Sequence, residues 1–380
     1  MAAEIRARWA VAAVFFMLGS LIGAWAARIP DIKEILELDE AGFGGMLLIM
    51  ALGAFVAFPF AGQLIDRRGA AIVTKAFVIL TLAAFAGLCL GVNVWIMAPA
   101  MFFAGFCIGA LDVSMNAWGT EVETALKRPV MSSYHGLYSM GAGAGAGAGA
   151  IALWAEVAVR GHFLIWTAVM GVLMIAMLRV GWTSDRISGP KTKAPIVAFP
   201  KGALFLAGLM ALIAALGEGA VTDWAALYQI QELDIESSQA AIGFAVFSVA
   251  MVVMRLLGDN VIARFGAVPV ARISGFAAFV GAGLLVVGID IWVIWLGCAI
   301  MGLGNAVIFP LAMSRAAADP DMSKGAALAS VATLGYGAFL FGPPVLGFVG
   351  ELISLRAAFG IVAAAALLIV FLAGSLKVSK

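Results

Sequence analysis

The sequence predicts an all-α membrane protein whose twelve transmembrane helices form two pseudo-symmetric six-helix bundles. Its composition, its long apolar segments and an internal repeat lead to this fold class. Hydrophobic residues make up 64% of the 380 residues, and charged residues only 12%. Ordinary globular chains are about half apolar and about a quarter charged. A chain this apolar is therefore expected to lie mostly within a bilayer.

Twelve segments are apolar over the roughly 20 residues that a helix needs to cross the hydrocarbon core. Their approximate bounds are 8–27, 41–62, 71–91, 95–118, 131–153, 161–180, 201–229, 238–258, 267–288, 291–314, 325–350 and 355–376. The start of the first segment, with Arg6 and Arg8 before it and Ala24-Trp25-Ala26 near its end, also resembles a signal peptide. We expect this segment to be retained as a helix.

The distribution of basic residues predicts the orientation of these segments. With both termini in the cytoplasm, only Arg28, Lys33, Arg160 and Arg356 of the 23 Lys and Arg residues lie outside, which leaves 23 − 4 = 19 inside. Loops on the cytoplasmic side are enriched in Lys and Arg. We therefore expect a multi-pass protein of the bacterial inner membrane with both termini in the cytoplasm.

The fifth segment contains the run "GAGAGAGAGA" at Gly141–Ala150. A strand would leave its backbone groups unpaired in lipid, so the run is predicted to be helical. Gly141, Gly145 and Gly149 are four residues apart, which is the spacing that lets two helix backbones approach closely. Tight packing on neighbouring helices and a smooth or bendable surface for movement are both compatible with this pattern.

An internal repeat divides the chain into two halves. Glu37-Leu38-Asp39 recurs as Glu232-Leu233-Asp234, 195 positions later, and Gly62 recurs as Gly258. The predicted bundles are residues 1–180 and 201–380, joined by a cytoplasmic linker at 181–200. Such paired halves are typical of carriers that work by alternating access, with a binding site near the middle of the membrane.

The loop after the second segment reads "GQLIDRRGA" at Gly62–Ala70. It resembles the G-x-L-x-D-R-x-G loop of the major facilitator superfamily, and the resemblance extends over essentially the whole chain. Asp66 is expected to cap a helix end and to pair with a basic residue of an inner loop. The residues assigned to this conformational latch in the two halves are Gly62, Asp66, Arg67, Gly69, Arg255 and Asp259.

The fourth segment contains "LDVSMNAWG" at Leu111–Gly119. This stretch is similar to the LE-x-x-x-N-P segment of the fucose-permease-like branch of sugar/proton symporters, although Asp replaces Glu and Ala117 replaces Pro. The resemblance implies that Asp112 carries the coupling proton and that Asn116 stands at the branch's Asn. The two are four residues apart and share a helix face. The proton is then the coupling ion, and no other cofactor is expected.

Other polar residues inside the segments predict the rest of the site, because ionisable groups within a membrane are costly and usually line a cavity. Proton coupling is assigned to Asp112, His135 and Glu218. Substrate binding is assigned to Asn116, Tyr138, Glu218, Asp223, Trp224, Asn305 and Tyr336. Carboxylates and amides beside aromatic rings suit a sugar, but they also suit a cationic drug. Purely structural roles, such as helix–helix contacts for Asn305 and Tyr336, remain the alternative.

Gly217 and Gly219, which flank Glu218, indicate a bent or broken helix. Together these features predict proton-coupled import of a sugar-like or other polar small molecule by a monomer in the lipid bilayer. The alternative is a proton-driven exporter of drugs or metabolites. We expect neither an enzyme nor a metal site, since no P-loop, HExxH or Ser-His-Asp pattern stands out. The net charge of +1 argues against nucleic acid as a partner, and the three cysteines lie in apolar runs without C-x-x-C spacing.

Overall fold

The computed structural model describes residues 2–38, 40–186, 199–234 and 237–377, and these residues are overwhelmingly helical. Residues 187–198 of the predicted linker and Asp39 of the repeat lie outside the described residues. The helices are α1 Ala2–Ala26, α2 Ile29–Ile35, α3 Glu40–Arg68, α4 Ala70–Gly87, α5 Val94–Leu126, α6 Met131–Trp154, α7 Val159–Leu178, α8 Gly202–Leu233, α9 Ser237–Phe265, α10 Ala267–Val287, α11 Ile291–Asn305, α12 Ile308–Ala317, α13 Lys324–Leu352 and α14 Leu355–Leu372. Short 3₁₀ turns follow α4 at Leu88–Leu90 and α14 at Ala373–Leu376.

Eleven candidate membrane spans occur in the described part of the chain, by length and apolarity. One of them, Ile291–Ala317, combines α11 and α12. The predicted fifth segment corresponds to α6, which is not among the eleven. This helix has 24 residues, which at 1.5 Å per residue is longer than the hydrocarbon core is thick. Its glycines lower its apolarity without shortening it.

The glycine–alanine run is helical and packs against α1. A Cβ atom added at Gly145 would lie 1.9 Å from the carbonyl oxygen of Ser20 in α1. The approach is reciprocal, because a Cβ atom at Gly23 of α1 would lie 1.9 Å from the carbonyl oxygen of Ala142. Only glycine permits two helix backbones to come this close.

The two glycine stripes of α6 differ in what they face. A Cβ atom at Gly141 would also collide with α1, 2.1 Å from the carbonyl oxygen of Phe16, and one at Gly149 would lie 2.4 Å from Cβ of Ala27, the residue after α1. In contrast, a Cβ atom at Gly143 or Gly147 would meet nothing within 4 Å. Tight packing, one of the two roles that the sequence suggested, is therefore present for the stripe spaced by four from Gly141.

The described helices form two compact units. The first comprises Met1–Lys127, Leu137–Ala198 and Met322–Ala329, and the second comprises Arg128–Gly136, Phe199–Asp321 and Ser330–Lys380. In the first unit, α5 packs against α3 and α4, and α1 packs against α7. In the second, α10 packs against α11 and α14, and α8 against α9, α12 and α14. Two of the divisions between the units fall inside helices, one in α6 and one in α13.

One predicted irregularity appears in a different helix from the one expected. A bent or broken helix was predicted at Gly217 and Gly219, and α8 continues there without a break, so a broken helix at this place is wrong. The break lies instead between α11 and α12, at Ala306 and Val307. Pro310 explains it, because proline has no backbone N–H to donate to the carbonyl four residues earlier, and its ring crowds that carbonyl. Gly217 has a packing role, described below.

Candidate functional site

In the first unit, Asp112 and Asn116 form a buried polar pair on α5. Their residues are 5% and 0% exposed. Asn116 Nδ2 donates to the Asp112 carbonyl oxygen at 2.9 Å and lies 3.5 Å from its carboxylate oxygen Oδ1. The four-residue spacing thus places both side chains on one face, as predicted. The amide therefore lies beside an acid that the surrounding helices bury.

The two predicted residues of α6 fall in different units. Tyr138 belongs to the first unit and is half-buried, and its carbonyl oxygen lies 2.0 Å from where Gly19 of α1 would carry a Cβ atom. His135 belongs to the second unit and is 8% exposed. Its ring meets Phe309 edge-on, with 5.6 Å between the ring centroids.

In the second unit, Glu218 of α8 pairs with Arg255 of α9. The distance from Arg255 Nη2 to Glu218 Oε2 is 3.1 Å. The Arg255 side chain is 7% exposed, whereas that of Glu218 is 34% exposed. The sequence assigned Arg255 to the latch and Glu218 to proton coupling and substrate binding, and the structure brings the two into one ion pair.

The break between α11 and α12 supplies another partner of Arg255. Its Nε donates to the carbonyl oxygen of Ala306 at 3.3 Å. This is the carbonyl that Pro310 deprives of its helical hydrogen bond. Asn305, 4% exposed, ends α11 beside it, and its amide lies against Gly217, where an added Cβ atom would be 2.7 Å from Asn305 Nδ2. Glycine at 217 therefore makes room for this amide next to Glu218.

Aromatic rings border the same region of the second unit. Phe309, in the first turn of α12, lies between His135 and Tyr336, and the Phe309–Tyr336 centroids are 5.7 Å apart. Tyr336 also contacts Phe339, with 6.0 Å between the centroids. These edge-on and tilted arrangements are the favoured geometries for aromatic pairs. Half-buried Tyr336 thus extends a row of rings from α6 to α13.

The remaining predicted residues of α8 lie farther along the helix. Asp223 is exposed, and Thr222 beside it bonds back to the carbonyl oxygen of Glu218 at 2.8 Å. Trp224 packs against Gly347 of α13, where an added Cβ atom would lie 2.8 Å from the indole. Within the described part of the chain, the ion pair joins Arg255 to Glu218 and includes neither Asp223 nor Trp224.

The predicted latch residues of the first unit surround the start of α13. Asp66 Oδ1 accepts a hydrogen bond from the backbone N–H of Gly325 at 3.0 Å, and its Oδ2 accepts one from the Ser323 hydroxyl. An anion at a helix N-terminus is stabilised both by the unpaired N–H groups and by the helix dipole. Gly62 and Gly325 touch, since a Cβ atom at Gly325 would lie 2.1 Å from the Gly62 carbonyl oxygen.

The other end of this loop contacts the segment after α7. Gly69 has φ +88°, a conformation that favours glycine, and an added Cβ atom would lie 2.7 Å from Ser184 Cβ. The Ser184 hydroxyl in turn accepts the backbone N–H of Ala71 at 2.9 Å. Arg67 is exposed.

Asp259 of the second unit has the corresponding position at the start of α6. Its two carboxylate oxygens accept the backbone N–H groups of Ser132 and Ser133 at 2.9 and 3.1 Å. The Ser132 hydroxyl donates to the carbonyl oxygen of Arg255 at 2.7 Å. Each half of the chain thus places one aspartate at the N-terminus of one glycine-rich helix.

Sequence reasoning missed several of these residues. Glu121, near the end of α5, accepts Trp182 Nε1 at 2.8 Å and lies 3.8 Å from Lys324 Nζ, all within the first unit. An acid five residues after Asn116, just beyond the predicted end of the fourth segment, was an available signal for it. The break at Ala306 also had a signal, since "NAVIFP" places a proline four residues after that alanine.

Comparison with known proteins places the chain among membrane transporters. The profile of the Major Facilitator Superfamily matches residues 9–319. An uncharacterized transporter, y4wD, of Sinorhizobium fredii (strain NBRC 101917 / NGR234) is 41% identical over 97% of each chain. An uncharacterized MFS-type transporter of Yersinia pestis is 31% identical over 92% of this chain and 90% of its own.

A solved structure shares the fold at low sequence identity. The transporter FucP in its outward conformation matches with a TM-score of 0.79 at 14% identity, over 99% of this chain and all of the other. FucP of E. coli is a fucose:proton symporter.

Proposed function

Because this chain belongs to the Major Facilitator Superfamily, we propose that it is a secondary active transporter that works by alternating access. It imports a sugar-like or other polar small molecule together with protons. The proton is the coupling ion, and no other cofactor takes part. Among the described residues, no group of three or more His, Cys, Asp or Glu side chains could hold a metal ion.

The observation that carries this proposal is the buried Asp112–Asn116 pair of α5. An acid that is 5% exposed in a membrane helix costs free energy, and such acids commonly line an ion or proton pathway. Asn116 Nδ2 donates to the Asp112 backbone carbonyl at 2.9 Å and lies 3.5 Å from the carboxylate Oδ1, so a polar amide accompanies the buried acid. Such an acid can bind a proton on one side of the membrane and release it on the other.

The arrangement in the membrane is part of the proposal. Helix α6 crosses the bilayer as the twelfth span, and both termini lie in the cytoplasm of a bacterial cell, in the inner membrane. Bundles at 1–180 and 201–380 form the two halves, linked by 181–200, and the working unit is a monomer. The distribution of Lys and Arg, 19 inside and four outside of 23, supports this orientation.

Proton movement in liposomes tests the function directly. Purified protein is reconstituted with a pH-sensitive dye inside, and sugars, amino acids, organic acids and lipophilic cations are added in turn. We expect an inward substrate gradient to acidify the lumen for at least one polar substrate. Asp112→Asn should abolish the proton signal, because an amide cannot carry the proton.

Asp290→Asn is the matched control, because Asp290 is an exposed acid that caps the start of α11 by accepting from Trp292 and Val293. Asparagine also caps helices, so this variant should behave as the wild type. Equal proton signals in wild type and Asp112→Asn would rule out Asp112 as the coupling acid. Lumenal alkalinisation driven by lipophilic cations instead would favour the exporter.

A further inference from the structure

The ion pair of the second unit joins a buried cation to a reachable anion. The side chain of Arg255 is 7% exposed and that of Glu218 is 34% exposed. A buried guanidinium requires an anion beside it, since removing one partner of such a pair leaves an uncompensated charge. The exposure of Glu218 means that this anion can be reached, and exchanged, from outside the protein core.

Arg255 is held in place independently of Glu218. Its Nε donates to the Ala306 carbonyl oxygen at 3.3 Å, and Pro310 keeps that carbonyl from forming a helical hydrogen bond. The guanidinium is planar and rigid, so fixing Nε also fixes the direction of its outer nitrogen atoms. Arg255 therefore keeps its orientation when the carboxylate of Glu218 moves away.

A second buried donor lies beside this pair. Asn305 is 4% exposed, and its Nδ2 has no hydrogen-bond partner within the described part of the chain. The amide lies against Gly217, the neighbour of Glu218. A buried amide N–H without an acceptor is costly, and a ligand oxygen would satisfy it.

We propose that Arg255 binds the carboxylate group of a small organic anion, which takes the place of Glu218, and that Asn305 donates to the same ligand. This inference rests on the proposed transport function and names its substrate class. A guanidinium forms paired, charge-assisted hydrogen bonds with a carboxylate. The hydroxyl groups of a neutral sugar cannot replace the charge of Glu218.

Another pair in the second unit shows what a closed, structural ion pair looks like. Arg315 Nη1 lies 3.0 Å from Asp319 Oδ2, and both side chains are 6% exposed. Arg315 Nε donates to the Ser375 carbonyl oxygen at 3.1 Å. Both side chains of the Arg315–Asp319 pair are buried. In the Glu218–Arg255 pair only the arginine is buried, and the glutamate is partly exposed.

Binding of matched neutral and anionic probes tests the inference on the purified full-length protein. The pairs are glucuronate and glucose, lactate and 1,2-propanediol, and benzoate and benzyl alcohol. We expect at least one carboxylate to bind at least about tenfold more tightly than its neutral counterpart, which is the order expected of a charge-assisted hydrogen-bond pair. Isothermal titration gives the affinities, and thermal denaturation gives the stability of each variant.

Two substitutions separate ligand binding from a structural role. Arg255→Lys keeps the charge but loses the fork and the Nε contact, and it should remove the preference for the carboxylate. Glu218→Gln removes the competing anion and should tighten carboxylate binding by about tenfold. Arg315→Lys is the matched control and should leave all probe affinities unchanged.

The outcomes are distinct. If no carboxylate outbinds its neutral partner, or if Arg255→Lys retains the preference in a folded protein, the inference is overturned. If Glu218→Gln weakens carboxylate binding, the pair is structural and the inference is again overturned. Glucose-driven proton uptake without any carboxylate preference would contradict the inference and leave the proposed function standing. Carboxylate preference without proton movement would contradict the proposed proton coupling and leave the inference standing.

Discussion

Asp66 and Asp259 act on helix ends through the same hydrogen bonds. Asp66 accepts the Gly325 N–H and Asp259 accepts the N–H groups of Ser132 and Ser133. In both places the carboxylate replaces the partner that the first turn of a helix lacks, and its charge opposes the positive end of the helix dipole. The sequence predicted the capping role of Asp66 from its loop, but not which of the helices it would cap.

At this scale, we predict that Asp66→Ala lowers the free energy of unfolding by about 1 kcal/mol, because the first turn of α13 loses an acceptor. Asp66→Asn keeps an acceptor oxygen and loses only the charge, so its loss should be smaller, about 0.3–1 kcal/mol. Thermal denaturation of the purified variants measures both. Equal losses for the two substitutions would contradict a role for the hydrogen bond to Gly325.

Sequence spacing reveals contacts along a helix and misses contacts across helices. The Asp112–Asn116 contact was predictable because a four-residue spacing fixes a common face. The contact of Arg255 with Glu218 was not predictable in this way, because Glu218 lies 37 positions away on α8. No periodicity encodes that distance, since it depends on how α8 and α9 are rotated against each other.

At the scale of the element, α6 shows what a bilayer imposes on a weak helix former. Glycine costs about 1 kcal/mol relative to alanine in a water-exposed helix, but within lipid the backbone has no other way to pair its polar groups. The helical state of Gly141–Ala150 was therefore predictable. Its partner α1 was not, because the glycine spacing indicates a close helix–helix contact without identifying the helix that supplies the other side.

The two stripes of α6 should differ in their tolerance of larger side chains. Gly145→Val places methyl groups where the α1 backbone already lies 1.9 Å from a Cβ position, so we expect destabilisation of about 1–3 kcal/mol. Gly143→Val meets nothing within 4 Å and should be close to neutral. The folded fraction after heating, measured by size-exclusion chromatography, compares the two.

Equal loss in both variants would mean that glycine is needed for its backbone freedom and not for the contact with α1. A Gly145→Ala variant refines the result, because it adds a single methyl group at the same position. Its loss should lie between those of the wild type and Gly145→Val.

At the scale of the whole molecule, the crossing of α6 decides the topology. In the part of the chain that the structure describes, eleven helical segments are long and apolar enough to be candidate spans, and α6 is not among them. An odd number of spans would put the two termini on opposite sides of the membrane, so an orientation with both termini in the cytoplasm depends on α6. The loops on its two sides contain Arg128 and Ala155, and both residues are exposed. If α6 crosses, these two positions lie on opposite faces of the membrane.

Cysteine labelling in intact cells measures this arrangement, in a background where the three native cysteines are replaced. Ala155→Cys should react with a membrane-impermeant maleimide added outside, whereas Arg128→Cys should react only after permeabilisation. Labelling of both from outside, or of neither, would remove α6 from the membrane. Labelling of Arg128→Cys alone would invert the proposed orientation.

The composition of the two units has a consequence for how the protein is made. The first unit includes Met322–Ala329, whereas the rest of this unit ends at Ala198, so its last segment starts 322 − 198 = 124 positions later in the chain. Until that segment emerges, the carboxylate of Asp66 lacks the hydrogen bond that the Gly325 N–H later donates to it. A nascent chain that stalls after α12 has therefore synthesised every helix up to and including α12. Its first unit is still incomplete, and in that state it is exposed to the insertion machinery and to membrane proteases.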